Sequence, residues 1–107
     1  GQIVNVPLAS GSDGARAREV WQGICARVLD WRPQLILVSA GFDAHADDPL
    51  AFLTWREHDF AAITRMICDT AAACSAPVVS ALEGGYDLAA LGRSARAHVE
   101  VLKETSP

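Results

Sequence analysis

Basic residues are in short supply in this 107-residue chain, nine against thirteen acidic ones, for a formal net charge of −4. Nucleic-acid-binding modules ordinarily carry a basic excess, so no nucleic-acid partner is expected. Apolar runs are short. Leu35-Ile36-Leu37-Val38 falls far below the ~20 residues of a membrane span, and no membrane partner is expected either. The opening residues Gly1-Gln2-Ile3-Val4-Asn5-Val6 have neither the basic start nor the apolar stretch of a secretory signal. Cysteines number three, Cys25, Cys68 and Cys74, with no Cys-x-x-Cys spacing. That excludes a disulfide framework and a cysteine-based metal site, and a reducing, cytoplasmic setting is the expectation. A Gly-x-x-x-x-Gly-Lys phosphate loop and a Gly-x-Ser-x-Gly nucleophile elbow are both missing.

What is present is globular. Hydrophobic residues make up 50% and charged residues 21%, which argues against a mainly disordered chain. The length suits about one small domain. No initiating methionine is present, and the first residues read as a strand, so the chain is expected to start inside a domain.

The β-branched segment Ile3-Val4-Asn5-Val6 predicts a strand near residues 2–7. A loop of small residues follows, with Ser12 or Asp13 as the N-cap of the next helix. Over residues 14–30, Ala17, Val20, Trp21, Ile24, Val28 and Leu29 recur at helical spacing, and Pro33 ends the pattern. Residues 35–40 are apolar on both parities, as in a strand buried on both faces of a parallel sheet. Thr54 and Glu57 form a capping-box pattern opening a helix over 55–74, with Trp55, Ala62, Ile63, Met66, Ile67 and Ala71 as its core. Residues 77–82 predict a third strand. A last helix over 87–103 would bury Leu88, Leu91, Ala95, Val99 and Leu102. The order β-α-β-α-β-α argues for an α/β fold with a parallel sheet. Three strands alone would leave apolar edges and faces open.

Ligands bind outside the carboxyl ends of strands in such sheets, and two loops there carry unusual residues. Residues 41–49 hold Asp43, Asp47 and Asp48 within six positions. Ionised together, these carboxylates need a cation or hydrogen-bond donors. A solvated acidic loop that caps the following helix and a metal or catalytic site both fit that pattern. Residues 83–87 read Glu83-Gly84-Gly85-Tyr86-Asp87. Paired glycines allow positive φ and close backbone approach, and a tyrosine there could donate its hydroxyl to a developing oxyanion. An ordinary turn with a packing tyrosine fits the spacing equally. His58 and His98 fall in predicted helices and read as surface residues.

Both loops resemble signatures of the histone deacetylase family, which includes the bacterial acetylpolyamine amidohydrolases and class II-like deacetylases. The first match is Leu35-Ile36-Leu37-Val38-Ser39-Ala40-Gly41-Phe42-Asp43-Ala44-His45-Ala46-Asp47-Asp48-Pro49-Leu50, the second Leu82-Glu83-Gly84-Gly85-Tyr86-Asp87-Leu88. Asn5-Val6-Pro7-Leu8 matches a third, weaker signature. The resemblance covers essentially the whole chain in order. It implies an arginase/deacetylase-like three-layer α/β/α fold, and a Zn2+ cofactor that hydrolyses acetyl-lysine or N-acetyl-amine amides. By the same resemblance, Asp48, before Pro49, is the candidate zinc ligand. Tyr86 is the group that polarises the substrate carbonyl, and Gly84 and Gly85 shape the wall around the acetyl group. Asp43 is a loop-fixing residue. His45, although it completes an Asp-x-His triplet, is not the family's histidine ligand, because that pair belongs to an earlier strand.

The family's tandem His-His general base and its upstream Asp-x-His pair are absent from this sequence. Residues 1–107 are therefore expected to be the C-terminal portion of a deacetylase catalytic domain, inactive in isolation. The alternative is a non-catalytic α/β protein-binding module derived from the deacetylase fold. An unrelated α/β ligand-binding module, binding a nucleotide without zinc, is the third.

Overall fold

A computed structural model describes residues 3–105. The elements run α1 (Gly14–Trp31), β1 (Ile36–Ala40), α2 (Glu57–Ala73), β2 (Val78–Leu82) and α3 (Leu88–Thr105). The two strands pair in parallel, Ile36 opposite Val78 through Ala40 opposite Leu82. The crossover through α2 is what a parallel pair requires, and the α/β class read from the sequence holds.

Each helix has a local reason to start or stop. The Asp13 carboxylate caps α1 by accepting the Arg16 amide at 3.0 Å. At the other end Arg32 turns into the left-handed region (φ 56°) and its amide closes on the Val28 carbonyl. The expected Thr54–Glu57 capping box does not form. Asp59 accepts the Arg56 amide at 2.8 Å instead, and the Thr54 hydroxyl donates to the carbonyls of Gly11 and Ser12. Thr54 thus ties the approach to α2 to the start of α1.

The expected first strand is not there. Gln2 lies outside the described residues, and residues 3–8 run without regular structure. Ile3, Val4 and Val6 are exposed. β-Branched composition gives a segment the propensity for a strand but not the neighbour whose hydrogen bonds define one.

All three helices pack on one face of the sheet. Ile36, Val38 and Val78 meet Ala17 and Trp21 of α1 and Ile63 and Ile67 of α2. A second cluster joins Ala40, Phe42 and Ala44 to Phe60 of α2 and Leu91 and Ala95 of α3, with Phe42 and Phe60 edge to face at 5.2 Å. The other parity is open: Leu37 is 72% exposed and Val79 55%. Within the described residues β1 is therefore buried on one face, not two. The chain supplies a sheet and one helical layer.

Candidate functional site

The loops that follow β1 and β2 leave the same edge of the sheet, and the strand ladder continues into both. The Glu83 amide donates to the Ala40 carbonyl at 2.9 Å and the Phe42 amide to the Gly84 carbonyl at 2.8 Å. Asp43 lies in this seam. Its Oδ1 is 3.2 Å from where a Cβ on Gly41 would sit and 3.3 Å from one on Gly84. Two glycines thus give the Asp43 carboxylate its room between the loops.

Asp48 is buried, 7% exposed. Its Oδ1 accepts the Leu50 amide at 2.9 Å and its Oδ2 the Tyr86 amide at 2.8 Å. The second bond ties the acidic loop to the Gly84-Gly85-Tyr86 loop across 38 positions. Burial alone would raise the Asp48 pKa. The amides of Leu50, Tyr86, Asp87 and Ala51 outweigh it and hold the carboxyl below its ordinary range. The result is an ionised carboxylate aimed by backbone donors rather than by a countercharge.

Tyr86 itself has 57% of its surface exposed, so its backbone is fixed while its ring reaches solvent. Gly85 has φ +138°, and a Cβ there would stand 2.7 Å from Leu91 Cδ1. That positive φ favours glycine, and a Cβ would also have to push the Leu91 side chain aside. Asp87 caps α3 by accepting the Ala90 amide at 2.9 Å. The sequence-derived site residues Asp48, Gly84, Gly85 and Tyr86 therefore come together, on one pair of linked loops.

His45 is 1% exposed, and both ring nitrogens are engaged. Nδ1 accepts the Asp47 amide at 3.0 Å, so Nε2 carries the proton and donates to Glu57 Oε1 at 3.1 Å. With both nitrogens used, the ring has no lone pair free for a cation. Arg93 of α3 grips the same glutamate, Nε to Oε1 at 2.5 Å, and reaches Asp47 Oδ2 with its other arm at 3.1 Å. The Arg93 bond foremost, then the glutamate's own amide, pull the Glu57 pKa down to about 2; burial opposes them and His45 assists. The sequence marked Glu57 only as half of a capping box and did not mark Arg93. The i, i+12 spacing from His45 to Glu57 belongs to no helix or strand period.

His98 departs from its expected surface position. It is buried, with Nδ1 2.8 Å from Thr64 Oγ1 and Nε2 2.8 Å from Ser80 Oγ. His58, by contrast, is exposed, as expected.

Comparison with known proteins identifies the scaffold. The histone deacetylase domain family matches residues 1–102. The chain belongs to the histone deacetylase family. It is 40% identical over 105 residues to type-2 histone deacetylase 1 of Dictyostelium discoideum, covering 97% of this chain and 7% of that protein. A probable deacetylase of Methanothermobacter thermautotrophicus is 52% identical over 64 residues, 60% of this chain and 18% of its own. Among solved structures, the HDA15 HD domain superposes with a TM-score of 0.86 at 30% identity, over 97% of this chain and 31% of that one. The acetylpolyamine aminohydrolase of Burkholderia pseudomallei gives 0.83 at 26% identity, over 95% of this chain and 29% of that one. The chain thus spans under a third of each of these relatives.

Deacetylases of this family imply a zinc ion, and the residues can be tested for it. An ionised carboxylate that accepts one amide on each oxygen still has lone pairs for a cation, and oxygen is a suitable zinc donor. Asp48 fits as one ligand. Among the described residues, no group of three or more His, Cys, Asp and Glu side chains could hold a metal ion. Asp48 would be one ligand of a set that the described residues alone do not complete.

Proposed function

We propose that the chain works as part of a zinc-dependent deacetylase or amidohydrolase acting on acetyl-lysine or N-acetyl-amine amides, with Asp48 a zinc ligand and Tyr86 the carbonyl-polarising group. The observation that carries this reading is the 2.8 Å bond from the Tyr86 amide to Asp48 Oδ2. It holds the metal-ligating carboxylate and the tyrosine backbone in fixed register, as a shared reaction centre needs.

When bound, zinc supplies a Lewis acid and a water of lowered pKa. The chain's own residues do the rest of what this part of the domain contributes. Asp48 stays ionised and is held in direction by two amides. The Tyr86 hydroxyl donates to the substrate carbonyl oxygen as negative charge builds on it. On this reading Gly84 and Gly85 lie along the wall around the acetyl group, and the missing side chains leave room for Asp43 and Leu91 behind that wall. The proton of the attacking water must go to a general base, and this sequence has no tandem histidine pair to take it. We therefore propose that these 107 residues alone do not turn over substrate.

The test uses the longer protein carrying this chain, loaded with zinc. Tyr86→Phe is expected to lower kcat by about 100-fold or more while keeping its zinc. Asp48→Asn is expected to lose zinc, measured as metal content per protein. Undiminished turnover in Tyr86→Phe, or deacetylation by the isolated 107 residues, would overturn the corresponding assignment.

A further inference from the structure

His45 completes a closed ring of polar contacts around Asp47, the residue before Asp48. Its Nδ1 takes the Asp47 amide, and its Nε2 donates to Glu57. Glu57 is held by Arg93, and Arg93 returns to the Asp47 carboxylate. The His45 carbonyl also accepts the Asp48 amide at 3.0 Å. Three separate elements therefore meet at one turn: the loop after β1, the first residue of α2 and a residue of α3.

We propose that His45, acting through Glu57 and Arg93, is a positioning residue that sets the direction of the Asp48 carboxylate toward the metal; the proposal rests on Asp48 being a zinc ligand. Stability does not explain the arrangement well. The Asp47 and Arg93 side chains are half exposed, 49% and 50%, and ion pairs at that exposure add little to folding free energy. A buried imidazole with both nitrogens committed is different, because it admits one ring orientation only. That orientation fixes the Asp47 backbone, and the next residue is the ligand. Partners that orient a metal ligand govern metal affinity and activity without touching the metal.

The experiment uses the longer protein, with His45→Ala, His45→Gln, Arg93→Gln and Asp48→Asn. Three quantities are read: the rate at which a chelator strips zinc, kcat and KM separately, and deuterium exchange at the Tyr86 amide in metal-free protein. His45→Ala and Arg93→Gln are expected to lose zinc about tenfold faster or more, to lower kcat with KM near parental, and to speed exchange at Tyr86. His45→Gln keeps a donor toward Glu57 and is expected to restore much of each. Arg93→Gln removes only surface contacts, so it reports even where His45→Ala fails to fold. Should Asp48→Asn release zinc while His45→Ala or Arg93→Gln keeps the parental stripping rate and the parental Tyr86 exchange, the positioning role is overturned and the zinc reading stands. Should Asp48→Asn hold zinc as the parent does, the zinc reading falls and this proposal falls with it.

Discussion

Gly14 shows how one missing side chain can join two helices. It opens α1, and a Cβ there would lie 1.8 Å from Asp59 Cγ, inside the carboxylate of α2's first turn. Asp59 is 3% exposed and cannot retreat cheaply, because it also accepts the Arg56 amide and pairs with Arg18. The close approach sets an anion against the N-terminus of α1, where the helix dipole favours it. Gly14→Ala is expected to cost about 2–3 kcal/mol through overpacking and the displaced carboxylate. Gly23, in the same helix, has nothing within 4 Å of its would-be Cβ. Gly23→Ala is expected to stabilise by up to about 1 kcal/mol, since alanine is the better helix former. Denaturation midpoints of the two variants should move in opposite directions. Equal shifts would mean that the Gly14–Asp59 contact is not tight.

Among the elements, α3 separates what a pattern can say from what only packing decides. Helical spacing marked Leu88, Leu91, Ala95, Val99 and Leu102 as its buried stripe. The buried residues are Ala90, Ser94, His98 and Val101, while Leu88 is 82% exposed and Val99 56%. Leu91 and Ala95 do pack on the core cluster, so the stripe was legible in part; its centre is shifted toward Ala90, Ser94 and His98, with His98 set between Thr64 of α2 and Ser80 of β2. α1, both strands and α2 were legible from apolar spacing, with ends off by a few residues where caps such as Asp59 replaced the expected ones. The Asp48–Tyr86 pairing, 38 residues apart in sequence, was reachable only through family resemblance; no local period encodes it. His98 leads to a pH prediction at this scale. Thr64 spends its hydroxyl proton on the Phe60 carbonyl, so His98 Nδ1 donates to Thr64 and Nε2 accepts from Ser80. Desolvation lowers its pKa from the ordinary 6.5. The unfolded chain then binds the proton more readily, so this contribution to stability is complete above about pH 6.5 and falls as the pH drops toward the folded value. His98→Gln is expected to flatten the pH dependence of the denaturation midpoint below pH 6.5, at the cost of lower stability near neutrality. An unchanged slope would show that His98 does not titrate between the two states.

At the scale of the whole molecule the imbalance between the two sheet faces dominates. Helices cover Ile36, Val38 and Val78, whereas Leu37 and Val79, on the other face, are 72% and 55% exposed. A two-stranded sheet also leaves one edge free on each strand, and an apolar face beside free edges is the usual starting point for association. The deacetylase relatives are several times longer than this chain. Prepared as these 107 residues, the protein is expected to associate in a concentration-dependent manner, seen by sedimentation, and to bind a hydrophobic dye. Leu37→Thr combined with Val79→Thr places a β-branched residue at both positions while trimming the apolar surface. It should reduce association with no loss of secondary structure in the circular dichroism spectrum. In the longer protein the same pair is expected to be destabilising, by about 2 kcal/mol for the leucine alone, because the face is then buried against apolar neighbours. Opposite signs in the two settings would show that the sheet face is a covered surface in the longer protein. A neutral result in the longer protein would show that the face stays open to water there too, and that the site's loops are held by the helical side alone.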